Sequence, residues 1–94
     1  MDEGYRWDDI SYQRIAAAGV AWQDVMHVLR HAHPVYRRHI GALLHIAGLS
    51  ASGEPLAVTL IEEGDDDYLI VGARMLHGAE RDAVEKLLEG GGQA

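Results

Sequence analysis

Hydrophobic residues in the middle of the chain fall into three short runs separated by two polar breaks. The runs cover residues 43–49, 56–61 and 68–71, and the breaks at 50–53 and 64–67 are rich in Ser, Gly and Asp. Apolar runs of about 4–8 residues, bounded by such clusters, are typical of β-strands. Loops this short cannot carry the chain over to a parallel neighbour, so the pattern predicts an antiparallel meander.

The first third of the chain predicts a short strand followed by two helices. Residues 5–7 alternate as in a short edge strand. Asp8 and Asp9 are suitable N-caps for a first helix over residues 10–18. A second helix is predicted over residues 21–31, because its apolar positions recur at helical spacing. That core stripe comprises Trp22, Val25, Met26 and Leu29.

Residues 35–39 are predicted to be extended and to lead into the meander. Period-two alternation then places Tyr36 and Arg38 on one side and Arg37 and His39 on the other.

After the meander, a third helix is indicated by an apolar stripe: Ala79, Ala83, Val84, Leu87 and Leu88. The predicted order is therefore β-α-α-β-β-β-β-α. It describes an α+β domain over residues 1–89, with all helices on one side of a small antiparallel sheet. The glycine-rich residues 90–94 are predicted to form a flexible tail.

Composition excludes several classes of function. The 94 residues carry a net charge of −7, and no cysteine is present, so disulfides, thiolate catalysis and cysteine–zinc sites are excluded. Residues 1–47 are neutral overall and residues 48–94 carry the whole excess, which argues against tight nonspecific nucleic-acid binding over the entire surface. No apolar run reaches the roughly 18 residues of a membrane-spanning helix, and no signal peptide opens the chain. We therefore expect a cytoplasmic protein that does not enter a membrane.

Several short motifs, taken in order, resemble the BrnT-type toxins of the RelE/ParE superfamily. In the first half they are Trp7-Asp8, Arg14-Ile15-Ala16-Ala17-Ala18-Gly19-Val20 and Gln23-Asp24-Val25. In the second half they are His45-Ile46-Ala47-Gly48-Leu49, Leu56-Ala57-Val58, Ile70-Val71-Gly72-Ala73-Arg74 and Glu80-Arg81. The resemblance covers roughly residues 5–88. It implies a RelE/BrnT-like fold and a small metal-independent endoribonuclease, the toxin of a type II toxin–antitoxin pair.

The sequence departs from the family pattern at three places. Ala17 and Ala18 stand where the family has a basic residue and a histidine, and Gly72 replaces the serine of its "SAR" motif. Residues 62–67 include five carboxylates where the family tends to carry arginine or lysine. A polyanionic substrate is repelled by such a run, so a non-catalytic protein-interaction module on the same scaffold is the alternative function.

The first candidate site joins the end of the last strand to the start of the last helix. Arg74, His77, Glu80 and Arg81 are predicted to lie within reach of one another. Cleavage of RNA without a metal needs a base, an acid and a cation for the phosphorane. His77 or Glu80 can transfer protons, and Arg74 and Arg81 can bind phosphate. The resemblance assigns activity to the positions of Arg74, Glu80 and Arg81, whereas the alternative interpretation is an ordinary surface ion pair.

The second candidate site is the locally basic stretch around the end of the second helix. Its predicted RNA-binding residues are Arg30, His31, Arg37, Arg38 and His39. Their charge rises as imidazoles protonate below about pH 6.5. The alternative is a solvated helix face with its exit loop.

The same stretch contains histidines at a spacing that could bind a metal. His27 and His31 are four residues apart on a helix, and His33 or His39 would have to complete the set. Without a cysteine or an HExxH motif, no metal and no cofactor is predicted.

The resemblance also implies a partner. It is a cognate antitoxin, and such antitoxins are often ribbon-helix-helix proteins that bind DNA. RNA is the other predicted ligand, and exposed edges on a small sheet make a homodimer or a hetero-oligomer with the antitoxin plausible.

Overall fold

The computed structural model describes residues 4–32, 35–65 and 67–89. Its elements, in chain order, are β1 (Gly4–Arg6), α1 (Asp9–Ala17), α2 (Trp22–Arg30), β2 (Tyr36–Ile40), β3 (Leu43–Leu49), β4 (Pro55–Gly64), β5 (Asp67–Met75) and α3 (Gly78–Glu89). The predicted α+β class and the predicted order of elements are confirmed. The predicted tail at 90–94, together with His33, Pro34 and Asp66, lies outside the described residues.

Helix α1 lies one residue ahead of its predicted bounds, at 9–17 rather than 10–18, and its predicted capping signals are in place. Asp8 is the N-cap, and its carboxylate accepts a hydrogen bond from the Ser11 backbone N–H at 2.8 Å. The Ser11 hydroxyl accepts in return from the Asp8 N–H at 3.2 Å, so two backbone donors of the first turn are satisfied. Gly19 follows the helix with φ of 75°, a conformation that glycine adopts without a Cβ penalty.

The sheet has the strand order β1-β5-β4-β3-β2. Strands β2 to β5 form the predicted antiparallel meander. Strand β1, however, pairs with β5 in parallel, so the expectation of a wholly antiparallel sheet was wrong and the sheet is mixed. The antiparallel rule applies to strands joined by short loops, whereas β1 and β5 lie at opposite ends of the chain.

One face of the sheet, here called the α1–α2 face, carries the core. Side chains of α1 and α2 pack there on alternate residues of the inner strands. The buried cluster comprises Ile15, Val20, Val25, Val28, Leu44, Ile46, Leu56, Val58, Leu60, Tyr68 and Ile70. Removing these side chains from water supplies the main drive for folding.

Helix α3 packs on the opposite face, here called the α3 face. Cross-strand pairing aligns Tyr36, Ala47, Ala57 and Arg74 on that face, and Glu80 and Val84 of α3 lie over them. The prediction that all helices share one side of the sheet was therefore wrong. Helices α1 and α2 already cover the first face, so α3 packs on the second, where two alanines allow a close approach. Of its predicted apolar stripe only Leu88 is buried and Val84 is half-buried, whereas Ala79, Ala83 and Leu87 are exposed, so that stripe was wrong at three of its five positions.

Trp22 is also placed differently from its prediction. It is 50% exposed, whereas Val25 and Val28 of the same helix are fully buried. Trp22 opens α2 one turn ahead of Val25, and the core lies under the later turns. The predicted core stripe of α2 was thus wrong at its first residue and omitted Val28.

Candidate functional site

The α3 face contains an open cleft of about 310 Å³ between the sheet and α3. Its polar lining comes from three strands and from α3, namely Tyr36, Arg38, His45, Arg74 and Glu80. Ala47 and Ala57 form the floor beneath them. Small side chains on the floor leave room above the sheet, and the polar groups surround that room.

Arg74 and Glu80 form a bidentate ion pair at one wall of the cleft. Both terminal nitrogens of the guanidinium donate to the carboxylate, one to each oxygen. The hydrogen bonds from Arg74 hold the pKa of Glu80 below its usual value, and the same bonds raise the pKa of Arg74. Glu80 is therefore ionised at neutral pH and has no proton to donate. Both side chains are more than half exposed, so the pair is accessible to a ligand.

A second group of polar residues crosses the sheet in one cross-strand row, here called the His45 row. Arg38 pairs with His45, His45 with Thr59, and Thr59 with Gly72. Side chains directly opposite on neighbouring strands have Cβ atoms about 5 Å apart. The Thr59 hydroxyl lies 3.4 Å from Nδ1 of His45, a long hydrogen bond. A Cβ atom placed on Gly72 would meet no atom within 4 Å, so this end of the row is open.

Of the predicted catalytic residues, the structure brings Arg74 and Glu80 together in the cleft. His77 is exposed and lies close enough for its charge to lower the pKa of Glu80, but it does not line the cleft. Arg81 pairs with Glu85 on α3, its Nε 3.4 Å from the carboxylate.

The predicted RNA-binding residues are distributed over separate surfaces. Arg38 lines the cleft, whereas Arg37 and His39 alternate to the α1–α2 face, opposite Ile46 and Leu44. The Arg30 guanidinium lies 5.3 Å from the centre of the Tyr5 ring, on the far side of the molecule's core. His31 stacks obliquely beside His27, with ring centres 5.9 Å apart. Only Arg38 of this set therefore shares a surface with Arg74.

No metal-binding group is formed by the described part of the chain. Within residues 4–32, 35–65 and 67–89, no three His, Asp or Glu side chains come close enough together to hold an ion. His33, one of the residues considered as a third ligand, lies outside those ranges.

The acidic run lies at the far end of the β4–β5 hairpin. Glu62 is five residues beyond Ala57 on β4, roughly 17 Å at the usual rise of a strand. Glu63 accepts hydrogen bonds from Arg6. The carboxylates that argued against an RNA-binding surface therefore lie away from the Arg74 end of the cleft, and Glu63 is paired with Arg6. Glu62 is closer to the other end, three residues or roughly 10 Å beyond Thr59 on β4.

Another cavity, of about 390 Å³, lies at the β1–β5 edge. Its lining includes Arg6, Glu63 and Asp67, and the first two bind each other. Because this cavity has one guanidinium against two carboxylates, whereas the cleft has two guanidinium groups against one carboxylate, it is less suited to an anionic ligand than the cleft.

An aliphatic row, exposed at Ile40 and Leu43 and half-buried at Ile61 and Leu69, borders the cleft on the same face. It consists of Ile40, Leu43, Ile61 and Leu69, which are cross-strand neighbours on four strands. Ile40 and Leu43 are 51% and 36% exposed. Contiguous apolar surface of this kind often marks a protein contact.

Sequence reasoning missed two polar residues of the cleft, Tyr36 and His45, and the cross-strand neighbour of His45, Thr59. A signal for His45 was present, because Leu44 and Ile46 are apolar neighbours in a strand and alternation places His45 on the opposite face. What the alternation cannot show is that this opposite face lies under α3 beside Arg74.

No helix in the described ranges is long and apolar enough to cross a membrane. Comparison with protein-family models, with curated proteins and with solved structures found no match to this chain. Functional assignment therefore depends on the chemistry of the cleft and on the resemblance of the sequence motifs.

Proposed function

We propose that this protein is a BrnT-like toxin of the RelE/ParE superfamily, a cytoplasmic endoribonuclease that cleaves RNA without a metal ion. The single observation that carries the proposal is the cleft on the α3 face. It combines two guanidinium groups, Arg38 and Arg74, with an imidazole and an ionised carboxylate. These are the side-chain types that RNA phosphodiester cleavage requires when no metal is used.

The guanidinium groups are suited to bind a phosphate and to stabilise the charge of its phosphorane. Arg74 presents its bidentate edge, and Glu80 occupies that edge in the free protein. An incoming phosphate would exchange with the Glu80 carboxylate, anion for anion. Glu80 would thus hold Arg74 in position before the substrate arrives.

The position of the acidic run supports an RNA ligand in spite of the net charge. A strand of RNA entering the cleft would meet Arg38 and Arg74 first, because Glu62 and its neighbours lie at the other end of the hairpin. Binding would then depend on few phosphate contacts, which suits an enzyme acting on one bond.

The proposed partner is a cognate antitoxin that neutralises the toxin. The aliphatic row supports this proposal, since it offers apolar contact area directly beside the cleft. A protein docked on Leu43 and Ile61 would also cover the approach to His45.

The proposal is tested by inducing expression in a bacterial host, following growth and examining total RNA. Wild-type protein is expected to arrest growth and to cleave RNA. Arg74→Ala and Arg38→Ala should each abolish the arrest, because each removes a phosphate-binding cation. Both residues are on the surface, so the variants should retain the wild-type urea midpoint within error.

Lys86→Ala is the matched control for Arg74→Ala. It removes one positive charge from exposed α3 and lies outside the cleft. Arrest that persists in Lys86→Ala and disappears in Arg74→Ala separates a local role from a change in net charge. Intact RNA and normal growth with folded wild-type protein would contradict the proposal.

A non-catalytic protein-interaction module is the second candidate, and the aliphatic row favours it specifically. Under this alternative the wild type and Arg74→Ala behave alike in the growth assay. Partner binding would instead be lost on Leu43→Asp, which places a charge in the middle of the row.

A further inference from the structure

We propose that His45 is the proton-transfer residue of the cleft and that the scissile phosphodiester of an RNA strand lies over Thr59, between His45 and Gly72. This inference rests on the proposed endoribonuclease function and assigns the reacting groups within it.

The position of His45 is the first observation. Among the described histidines, His45 alone lines the cleft. It lies at the centre of β3, whose neighbours on both sides keep the backbone in place. A base held on a central strand is positioned more firmly than one on a loop.

The neighbours of His45 define which part of the ring faces a substrate. Thr59 lies 3.4 Å from Nδ1, which leaves Nε2 for the substrate. Arg38 lies opposite on β2, while Tyr36, Arg74 and Glu80 line the same cleft. The only carboxylate among these groups is Glu80, which is engaged by Arg74.

Gly72 supplies the space. A Cβ atom there would have no neighbour within 4 Å, so the sheet is bare next to Thr59. The family pattern has serine at this position, and the glycine leaves more space beside Thr59 in the His45 row. A phosphate over Thr59 would have the imidazole on one side and an open volume on the other for the attached nucleoside.

The other candidates for proton transfer are less suited. Glu80 is bound to Arg74, which lies opposite Ala57, whereas His45 lies directly opposite Thr59 in the next cross-strand row. His77 is exposed and lies outside the cleft. His45 therefore takes the role that the sequence pattern gave to those two residues.

The reaction is an intramolecular transesterification. Nε2 of His45 takes the proton of the 2′-hydroxyl as that oxygen bonds to the adjacent phosphorus. The bond from phosphorus to the 5′-oxygen breaks, and the leaving oxygen takes a proton from water. The hydroxide that remains takes the proton from the His45 imidazolium, which restores water and the neutral imidazole. The products are a 2′,3′-cyclic phosphate and a 5′-hydroxyl, with no change in oxidation state.

The test uses the purified full chain and cellular RNA, followed by a synthetic oligonucleotide containing a cleaved site. His45→Ala should lower kcat by about 10²- to 10⁴-fold, the usual contribution of a general base. The decrease in kcat/KM on the acidic side of the wild-type pH profile should be absent from His45→Ala. Free imidazole should restore part of the rate to that variant. A 2′-deoxynucleotide at the cleaved site should block the wild type completely.

Two further variants distinguish chemistry from folding. Thr59→Val should lower activity because it removes the hydroxyl beside His45, and Thr59→Ser, which restores that hydroxyl, should recover activity relative to Thr59→Val. Gly72→Val should leave the urea midpoint unchanged or raise it, because β-branched residues suit a strand. It should nevertheless lose most activity by filling the open volume.

The outcomes separate the two proposals. Wild-type protein that is folded but leaves RNA intact overturns the nuclease function, and this inference with it. Wild-type cleavage that persists in His45→Ala, with its pH profile unchanged, overturns the role of His45 alone. Loss of activity in His45→Ala without imidazole rescue and with a lowered urea midpoint would assign His45 a structural role and also overturn the inference.

Discussion

Ser11 shows how one buried polar side chain joins a helix to the sheet. Its side chain is 1% exposed, and its single hydroxyl proton is shared between two acceptors, the Ile70 carbonyl of β5 and the Asp8 carboxylate. The same hydroxyl accepts from the Asp8 N–H, so it serves the helix cap and the strand together. A buried carbonyl left without a donor would incur a desolvation cost.

Ser11→Ala should lower the free energy of unfolding by about 1–3 kcal/mol, because the Ile70 carbonyl and the Asp8 N–H both lose a partner. Urea denaturation at neutral pH measures the change. Gln13→Ala, at an exposed position of the same helix, is the control and should stay within about 0.5 kcal/mol of wild type. Equal midpoints for the two variants would show that water replaces the serine without cost.

The first turn of α1 makes that helix sensitive to acid. Hydrogen bonds from the Ser11 backbone N–H, and then from its hydroxyl, lower the pKa of Asp8 from its usual value of 3.8. A lowered pKa in the folded state means that the carboxylate adds stability above pH 3.8. The contribution is lost as the pH falls through the lower value of the folded protein.

Asp8→Asn separates this titration from the cap itself, because asparagine caps helices about as well as aspartate. We expect the stability difference between wild type and Asp8→Asn to be constant from pH 7 to 5. Below about pH 3.8 the wild type should lose stability relative to Asp8→Asn. Urea midpoints at intervals between pH 6 and 2 measure it. Parallel curves across the whole range would show that the Asp8 carboxylate has the same pKa in the folded and unfolded states.

Strands β4 and β5 extend further than their apolar runs. Residues 62–64 were not predicted as strand, because they lack an alternating apolar pattern. Glu62 and Gly64 are extended because they pair with Tyr68 and Asp67 of β5, with a register shift between them. Arg74, which was predicted to end the last strand, pairs with Ala57, so its position over the cleft floor depends on pairing rather than on local preference.

The distribution of charge over the protein sets how strongly it can bind RNA. The net charge is −7, and the cations of the predicted basic stretch face different directions. Arg38 and Arg74 are the two that share the cleft. RNA affinity should therefore depend weakly on salt, since few counterions are released.

We expect the logarithm of the association constant to fall with the logarithm of the KCl concentration with a slope of roughly −1.4, from two phosphate contacts to a single strand. Fluorescence anisotropy with a 2′-O-methyl oligonucleotide, which is not cleaved, gives the slope. Arg38→Ala should reduce it by about 0.7, and Lys86→Ala should leave it unchanged. A slope steeper than about −3 would mean that the whole basic stretch contacts RNA.

The sequence predicts a residue of the candidate site only where a local signal identifies it. Arg74 and Glu80 were identified because a strand end and a helix start follow one another in the chain. His45 could be assigned to a strand face but not to a site. Its neighbours Arg38, Thr59 and Gly72 come from other strands, and register across a sheet is set by pairing.

By itself the sequence determined the α+β class, the order of the elements, the antiparallel meander and the cap of α1, because these follow from local periodicity, short loops and single capping residues. Only the tertiary structure decided that β1 joins β5 in parallel, that α3 packs opposite α1 and α2, and that Arg38, His45 and Arg74 share a cleft. Each of these depends on contacts between segments distant in the chain. Such contacts are selected by the burial of faces that no short stretch of residues can specify.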